Sequence, residues 1–154
     1  MIQRIQTVYF FIATLLVAVT LFGTDLFSFV QGGEYHATAY QITRGEVLVT
    51  KTDFWMLSLV QIAFALMIIF SFKMRHRQIF LGWIFLVLNI LSSAWMVLGA
   101  NVEMIAVSKS LEPATGLTFG IAFYIHAIAF IFVFLGIRGV RKDKKMIDSL
   151  NRLR

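Results

Sequence analysis

Cysteine is absent from this 154-residue chain, proline occurs once, and Asp, Glu, Lys and Arg together make up only 14%. Without cysteine there can be no disulfide staple, thiolate metal site or thiol redox chemistry. The scarcity of charge argues against an ordinary soluble domain, which carries about 25% charged and 45–50% apolar residues. Here 59% of residues are hydrophobic and the mean hydropathy is +0.82. The apolar residues are also concentrated. Ile5–Thr24, Phe54–Phe72, Gln78–Val102 and Pro113–Ile137 contain no Asp, Glu, Lys or Arg. At about 1.5 Å per residue each could cross a hydrocarbon core of about 30 Å. Four such stretches in one short chain leave too little polar surface for a soluble fold, so a membrane protein is expected.

Arg4 before an apolar run invites reading the first stretch as a cleaved secretory signal. Cleavage needs small residues at the end of the run, and Leu21-Phe22-Gly23-Thr24 places bulky Leu21 where one is wanted. An uncleaved helix is the better reading. The net charge of +6 is distributed unevenly. Arg4, Lys73, Arg75, Arg77 and the tail cations Arg138, Arg141, Lys142, Lys144, Lys145, Arg152 and Arg154 fall in three clusters. The intervening segments hold only Arg44, Lys51 and Lys109, together with six of the eight acids. Cations stay on the cytoplasmic side of a membrane, which puts both termini and the Lys73–Arg77 loop inside.

The expected fold is an all-α membrane protein, a four-transmembrane-helix antiparallel bundle. Its helices cover residues 3–24, 53–73, 78–100 and 115–138. Residues 25–52 form an outer segment, 101–114 an outer loop, and 139–154 a basic cytoplasmic tail. In the outer segment, Tyr35–Ile42 alternates and Glu46–Lys51 is β-prone, with Arg44-Gly45 between them. This predicts a small extracytoplasmic β-hairpin, with an irregular loop as the alternative. Gly32-Gly33 turns the chain back from the membrane surface. Asp53 suits the start of the second helix, and Pro113 the start of the fourth. Trp55, Trp95, Trp83 and Tyr9 fall near boundaries, as interfacial aromatics do. Val140, Ile147, Leu150 and Leu153 recur among the tail cations, predicting an amphipathic cytoplasmic helix on the anionic inner leaflet. Lys73, Arg75, Arg77, Arg138, Arg141, Lys142, Lys144 and Lys145 are the candidate contacts to anionic phospholipid headgroups. Alternatively, Asp143 and Asp148 pair with Arg4 or with the Lys73–Arg77 loop. A basic tail can also bind nucleic acid, but the topological reading accounts for these charges and no nucleic-acid partner is expected.

Each apolar stretch carries a polar residue near its middle: Thr14, Gln61, Asn89 and His126. Small or polar residues share their faces: Thr7 and Ala18; Ser58 and Ala65; Gly82, Ser92, Ser93, Met96 and Gly99; Thr115, Thr118, Ala122, Ala129, Val133 and Gly136. Such stripes mark contact with another helix rather than with lipid, so an interior polar layer is expected. One reading is structural, with these groups bonding across helices. The other makes His126 a proton or ligand site. A transporter usually needs intramembrane acids, paired sites or helix breaks, and none is present. Haem would need a second axial ligand, and nothing singles out one of the seven methionines. Gly116-x-x-x-Gly120 permits close helix contact but is weakly specific. No phosphate loop, metal cluster or nucleophile triad is present. His36, His76 and His126 lie at three depths. No cofactor, metal or catalytic residue is expected.

At both ends the sequence becomes specific. Met1-Ile-Gln-Arg-Ile-Gln-Thr7, and the run from Ile137-Arg-Gly-Val-Arg through Lys-Asp-Lys-Lys-Met-Ile-Asp to Leu-Arg154, resemble a family of Bacteroidota membrane proteins (domain of unknown function 4293). The layout of the rest of the chain is similar to that family. The resemblance implies a bacterial inner-membrane protein of that phylum, with no assigned activity to carry over. Gln3, Arg4 and Gln6 are more polar than topology alone requires, which suggests that the two ends pack on each other or on a partner. The expected function is that of a non-enzymatic accessory or scaffold subunit acting through lipid, other membrane proteins or further copies of itself. A small transporter or lipid-binding protein using the layer around His126 is the alternative.

Overall fold

The computed structural model describes residues 3–108 and 115–151, with side chains over 5–106 and 116–149. Helix α1 spans Gln3–Val19 and ends in a 3-10 turn, Thr20–Phe22. Strands β1 (Phe27–Val30), β2 (Glu34–Ala37), β3 (Gln41–Arg44) and β4 (Val47–Lys51) follow. Then come α2 (Phe54–Phe70), α3 (Arg75–Ser108), β5 (Thr115–Phe119) and α4 (Ile121–Asn151). The strands form one antiparallel sheet in the order β4-β3-β2-β1-β5.

This sheet overturns the expected all-α four-helix bundle with one hairpin. Tyr35–Ile42 is not a single strand. Thr38 folds it back, its N–H donating to the Gln41 carbonyl at 2.9 Å and its hydroxyl accepting from the Tyr40 and Gln41 N–H groups. Gly45, at φ +60°, then closes the β3–β4 turn, a geometry glycine adopts without steric penalty. Phe27–Val30 is also a strand, joined to β2 through Gly32-Gly33. The largest departure is β5, which occupies residues expected to start the fourth helix. Gly116 takes φ +69° beside the register shift between Ser28 and Val30, so it serves a bulge and not a helix interface. Thr118 likewise bonds Ser28 across the sheet at 2.8 Å. Pro113, Lys109 and Glu112 lie outside the described residues.

The helices also differ from the expected spans. α3 continues eight residues past 100, and α4 runs unbroken for 31 residues into the basic tail. The tail is therefore an extension of α4 rather than a separate surface helix, and Val140 packs into the helical core. Arg152, Leu153 and Arg154 lie outside the described residues, as do the side chains of Arg4 and Leu150. Asp53 precedes α2 but makes no side-chain cap bond.

Two apolar cores hold the molecule together. Phe10, Val17, Ala65, Ile68, Phe85, Val133 and Ile137 meet inside the helical layer. Close approach depends on glycine here: a Cβ on Gly136 would lie 2.8 Å from the Phe10 ring. Leu26, Phe27, Phe29, Ala37, Ile42, Phe54, Met96 and Ala122 join the sheet to the helix ends. The sheet is docked by backbone as well, since Gly120 N–H donates to the Leu26 carbonyl at 2.8 Å. Gly120 also sits directly on the Asp25 carbonyl, where no side chain fits.

Candidate functional site

Midway along the helices, four buried side chains form a connected polar chain. Gln61 on α2 donates its amide N–H to Ser92 Oγ on α3 at 2.9 Å. Ser92 Oγ lies 2.6 Å from His126 Nε2 on α4 and 3.1 Å from the Asn89 carbonyl. Asn89 in turn donates to the His126 carbonyl at 3.2 Å. A serine oxygen can accept two hydrogen bonds and donate one, so Ser92 alone can link α2 and α4 through α3. All four residues are at most 2% exposed. Gln61 Oε1 and His126 Nδ1 are buried with no hydrogen-bond partner.

Of the residues singled out from sequence, Gln61, Asn89 and His126 come together here. Thr14 does not: its hydroxyl donates to the Phe10 carbonyl of its own helix at 2.7 Å. The node, Ser92, appeared in the sequence only as one member of a stripe. A second polar link, Thr20 Oγ1 to Ser58 Oγ at 2.9 Å, ties the end of α1 to α2.

At the end of the helical layer opposite the sheet, α3 begins and α4 finishes. There His76, Ile79, Arg141, Lys144, Lys145 and Asp148 line a groove of about 480 Å3. The spacing explains it. His76, Ile79 and Trp83 share one face of α3, and Arg141, Lys144, Lys145 and Asp148 share one face of α4, by the three- and four-residue periodicity of a helix. The Arg141 guanidinium lies 5.1 Å from the Trp83 ring centroid, within cation–π range. Lys73 similarly approaches Phe72 at 5.9 Å. Arg75, Arg77, Arg138 and Lys142 are near this end but do not line the groove. Among the described residues, the ion-pair contacts all belong to His36, and no carboxylate closes on Arg141, Lys144 or Lys145.

Helices α1 and α4 meet beside this groove. Gln6 on α1 donates its amide N–H to the Asp143 carboxyl on α4, and both residues are buried. Asp143 Oδ1 has no hydrogen-bond partner. Asp143 thus faces the helical layer and meets Gln6 rather than the Lys73–Arg77 loop, the alternative pairing read from the sequence; the Arg4 side chain lies outside the described residues.

At the sheet end, His36 Nδ1 lies 3.0 Å from Asp25 Oδ2, and Nε2 lies 3.7 Å from Glu34 Oε1. A smaller groove of about 220 Å3 runs between the start of α2 and the outer part of α3, lined by Lys51, Asp53, Trp95, Leu98 and Glu103 among others. Among the described residues, no group of three or more His, Asp or Glu side chains is disposed to hold a metal.

The class of protein follows from these observations. Ile5–Phe22, Arg75–Ala106 and Ile121–Ser149 are three helical segments long and apolar enough to cross a membrane, while the apolar Phe54–Phe70 is shorter. Polar side chains lie inside this layer, and a β-sheet covers one end of it. The chain belongs to the family described as domain of unknown function (DUF4293), whose model matches residues 2–153. No curated protein matches the chain.

Proposed function

We propose that this is an integral membrane protein that acts by interaction, a non-enzymatic accessory or scaffold subunit of a bacterial inner membrane. The exterior of its helical layer supports membrane residence. Phe11, Leu15, Leu66, Phe70, Phe80, Ile90, Leu98 and Ile131 are all exposed. Monomeric soluble proteins rarely expose contiguous apolar patches larger than a few hundred Å2. In this reading both termini and the basic groove face the cytoplasm, by the charge asymmetry, and the sheet faces outward.

The observation that carries the interaction reading is the chain from Gln61 through Ser92 to His126 and Asn89. Three of its hydrogen bonds, Gln61 to Ser92, Ser92 to His126 and Asn89 to the His126 carbonyl, run between helices, as expected of groups that fix packing. The groups free to meet partners then lie at the two ends, on the sheet and around the groove. Purification in mild detergent at native expression, followed by mass spectrometry, tests this. Co-purifying membrane proteins are expected; migration as a lone monomer or simple homo-oligomer contradicts it.

A second reading, a small transporter or ligand-binding protein, is favoured by the two unpartnered atoms, Gln61 Oε1 and His126 Nδ1. His126→Leu separates the two. Unchanged stability with loss of a pH-dependent phenotype supports a ligand or proton site, and loss of stability supports packing.

A further inference from the structure

We propose that the groove lined by His76, Arg141, Lys144 and Lys145 is a binding site for the phosphate of one anionic phospholipid, whose glycerol and acyl chains lie along α3 below Trp83. The inference rests on the helical layer being in a membrane, but not on the protein having a protein partner.

Three observations converge. First, three cations from one face of α4 are gathered in a single concavity with no carboxylate within ion-pair distance among the described residues. Asp148 is the only acid in the lining. Like charges held together in this way leave a site of positive potential that an anion relieves. Second, His76 belongs to the first turn of α3, a 34-residue helix with no acid in that turn. The dipole at the start of a long helix favours an anion near that end. Third, the cations adjoin apolar surface. Ile79 lines the groove, and Trp83, 40% exposed, carries Arg141 over its ring. This cation–π contact steadies the guanidinium beside the groove, and arginine binds phosphate bidentately.

The shared chemistry is a phosphate ester, and free phosphate has it too. The adjoining aromatic and apolar side chains favour the lipid, because tryptophan sits at headgroup level and an aqueous anion has no use for Ile79 and Trp83. The groove volume lies within the roughly 300–1,000 Å3 of ordinary ligand sites.

The test uses the full chain purified in neutral detergent, titrated with phosphatidylglycerol or phosphatidylcholine of matched acyl chains and read by native mass spectrometry. Two charge-matched double variants are compared with the parent: Arg141→Gln/Lys144→Gln in the groove, and Arg138→Gln/Lys142→Gln outside it. The site predicts selective retention of phosphatidylglycerol that the groove variant weakens by about tenfold or more, the scale of losing charge-assisted contacts. The control pair should change it by less than about twofold. Equal losses in both pairs mean diffuse attraction to a basic surface and overturn the site. No loss in either also overturns it, as does displacement of the lipid by millimolar inorganic phosphate irrespective of acyl chains. Should the groove variant fail to fold, Lys144→Gln alone, an exposed position, carries the same comparison against Lys142→Gln.

Discussion

Gln6, near the start of α1, donates a hydrogen bond to the buried carboxyl of Asp143 on α4, 137 residues further along the chain. The contact closes the helical layer at its basic end, where Gly139 also lets α4 approach the Gln6 side chain. A buried polar group that loses its only partner costs about 1–3 kcal/mol, and more if charged. Gln6→Leu should therefore lower the unfolding temperature in detergent, and Gln6→Leu/Asp143→Leu should recover most of the loss. An unchanged melting curve for Gln6→Leu would show that the contact contributes nothing.

Ser92 is the node of the mid-helix polar chain, so Ser92→Ala should strand both the Gln61 amide and the His126 ring. Interhelical hydrogen bonds in membranes average about 0.6 kcal/mol with a maximum near 1.7, so a loss of about 1–2 kcal/mol is expected. Ser93→Ala should cost less, because Ser93 bonds only the Asn89 carbonyl of its own helix. Because Gln61 and His126 meet through one hydroxyl, Gln61→Leu and His126→Leu should be less than additive in the double variant. Chemical unfolding of the four single variants and the double variant gives the comparison; equal effects of Ser92→Ala and Ser93→Ala would sink it.

Gly120 joins the sheet to α4 with its N–H on the Leu26 carbonyl and its α-carbon against the Asp25 backbone. A Cβ there meets backbone, which cannot move aside as a flexible side chain can. Gly120→Ala should loosen the sheet while leaving the helices folded. Limited proteolysis reads this directly: cleavage within residues 25–52 should accelerate while helical circular dichroism stays constant. Protection equal to that of the parent chain would show that the sheet is held by its apolar core alone.

The inward faces of the helices were legible because they depend on a 3.6-residue period that survives in an apolar sequence. Gln61, Asn89 and His126 could therefore be placed on facing stripes. The strands were harder to read for specific reasons. Thr115–Phe119 carries no charge and runs into an apolar stretch, so hydropathy merges β5 with α4. The turn at Thr38–Tyr40 contains no glycine, proline or asparagine and is made by a threonine hydroxyl, so an alternating run conceals two strands. Helix continuity beyond the apolar stretches was hidden too. Glu103 ends the apolar stretch but not α3, and the cations from Arg138 onward end the next apolar stretch but not α4. The meeting of Gln6 with Asp143 had only an indirect signal, two polar termini more specific than topology needs. The basic groove could have been found by asking which cations recur every three or four residues opposite His76 and Trp83.

The central claim is that the helical layer lies in the membrane with the sheet outside and the basic groove in the cytoplasm. The absence of cysteine makes this directly measurable by single-site labelling. Val47→Cys places a thiol on the exposed edge strand β4, and Lys142→Cys places one on the exposed extension of α4. Spheroplasts treated with a membrane-impermeant maleimide should label the Val47→Cys protein at once and the Lys142→Cys protein only after permeabilisation. Labelling of both before permeabilisation, the reverse order, or recovery of the protein in the soluble fraction would contradict the account.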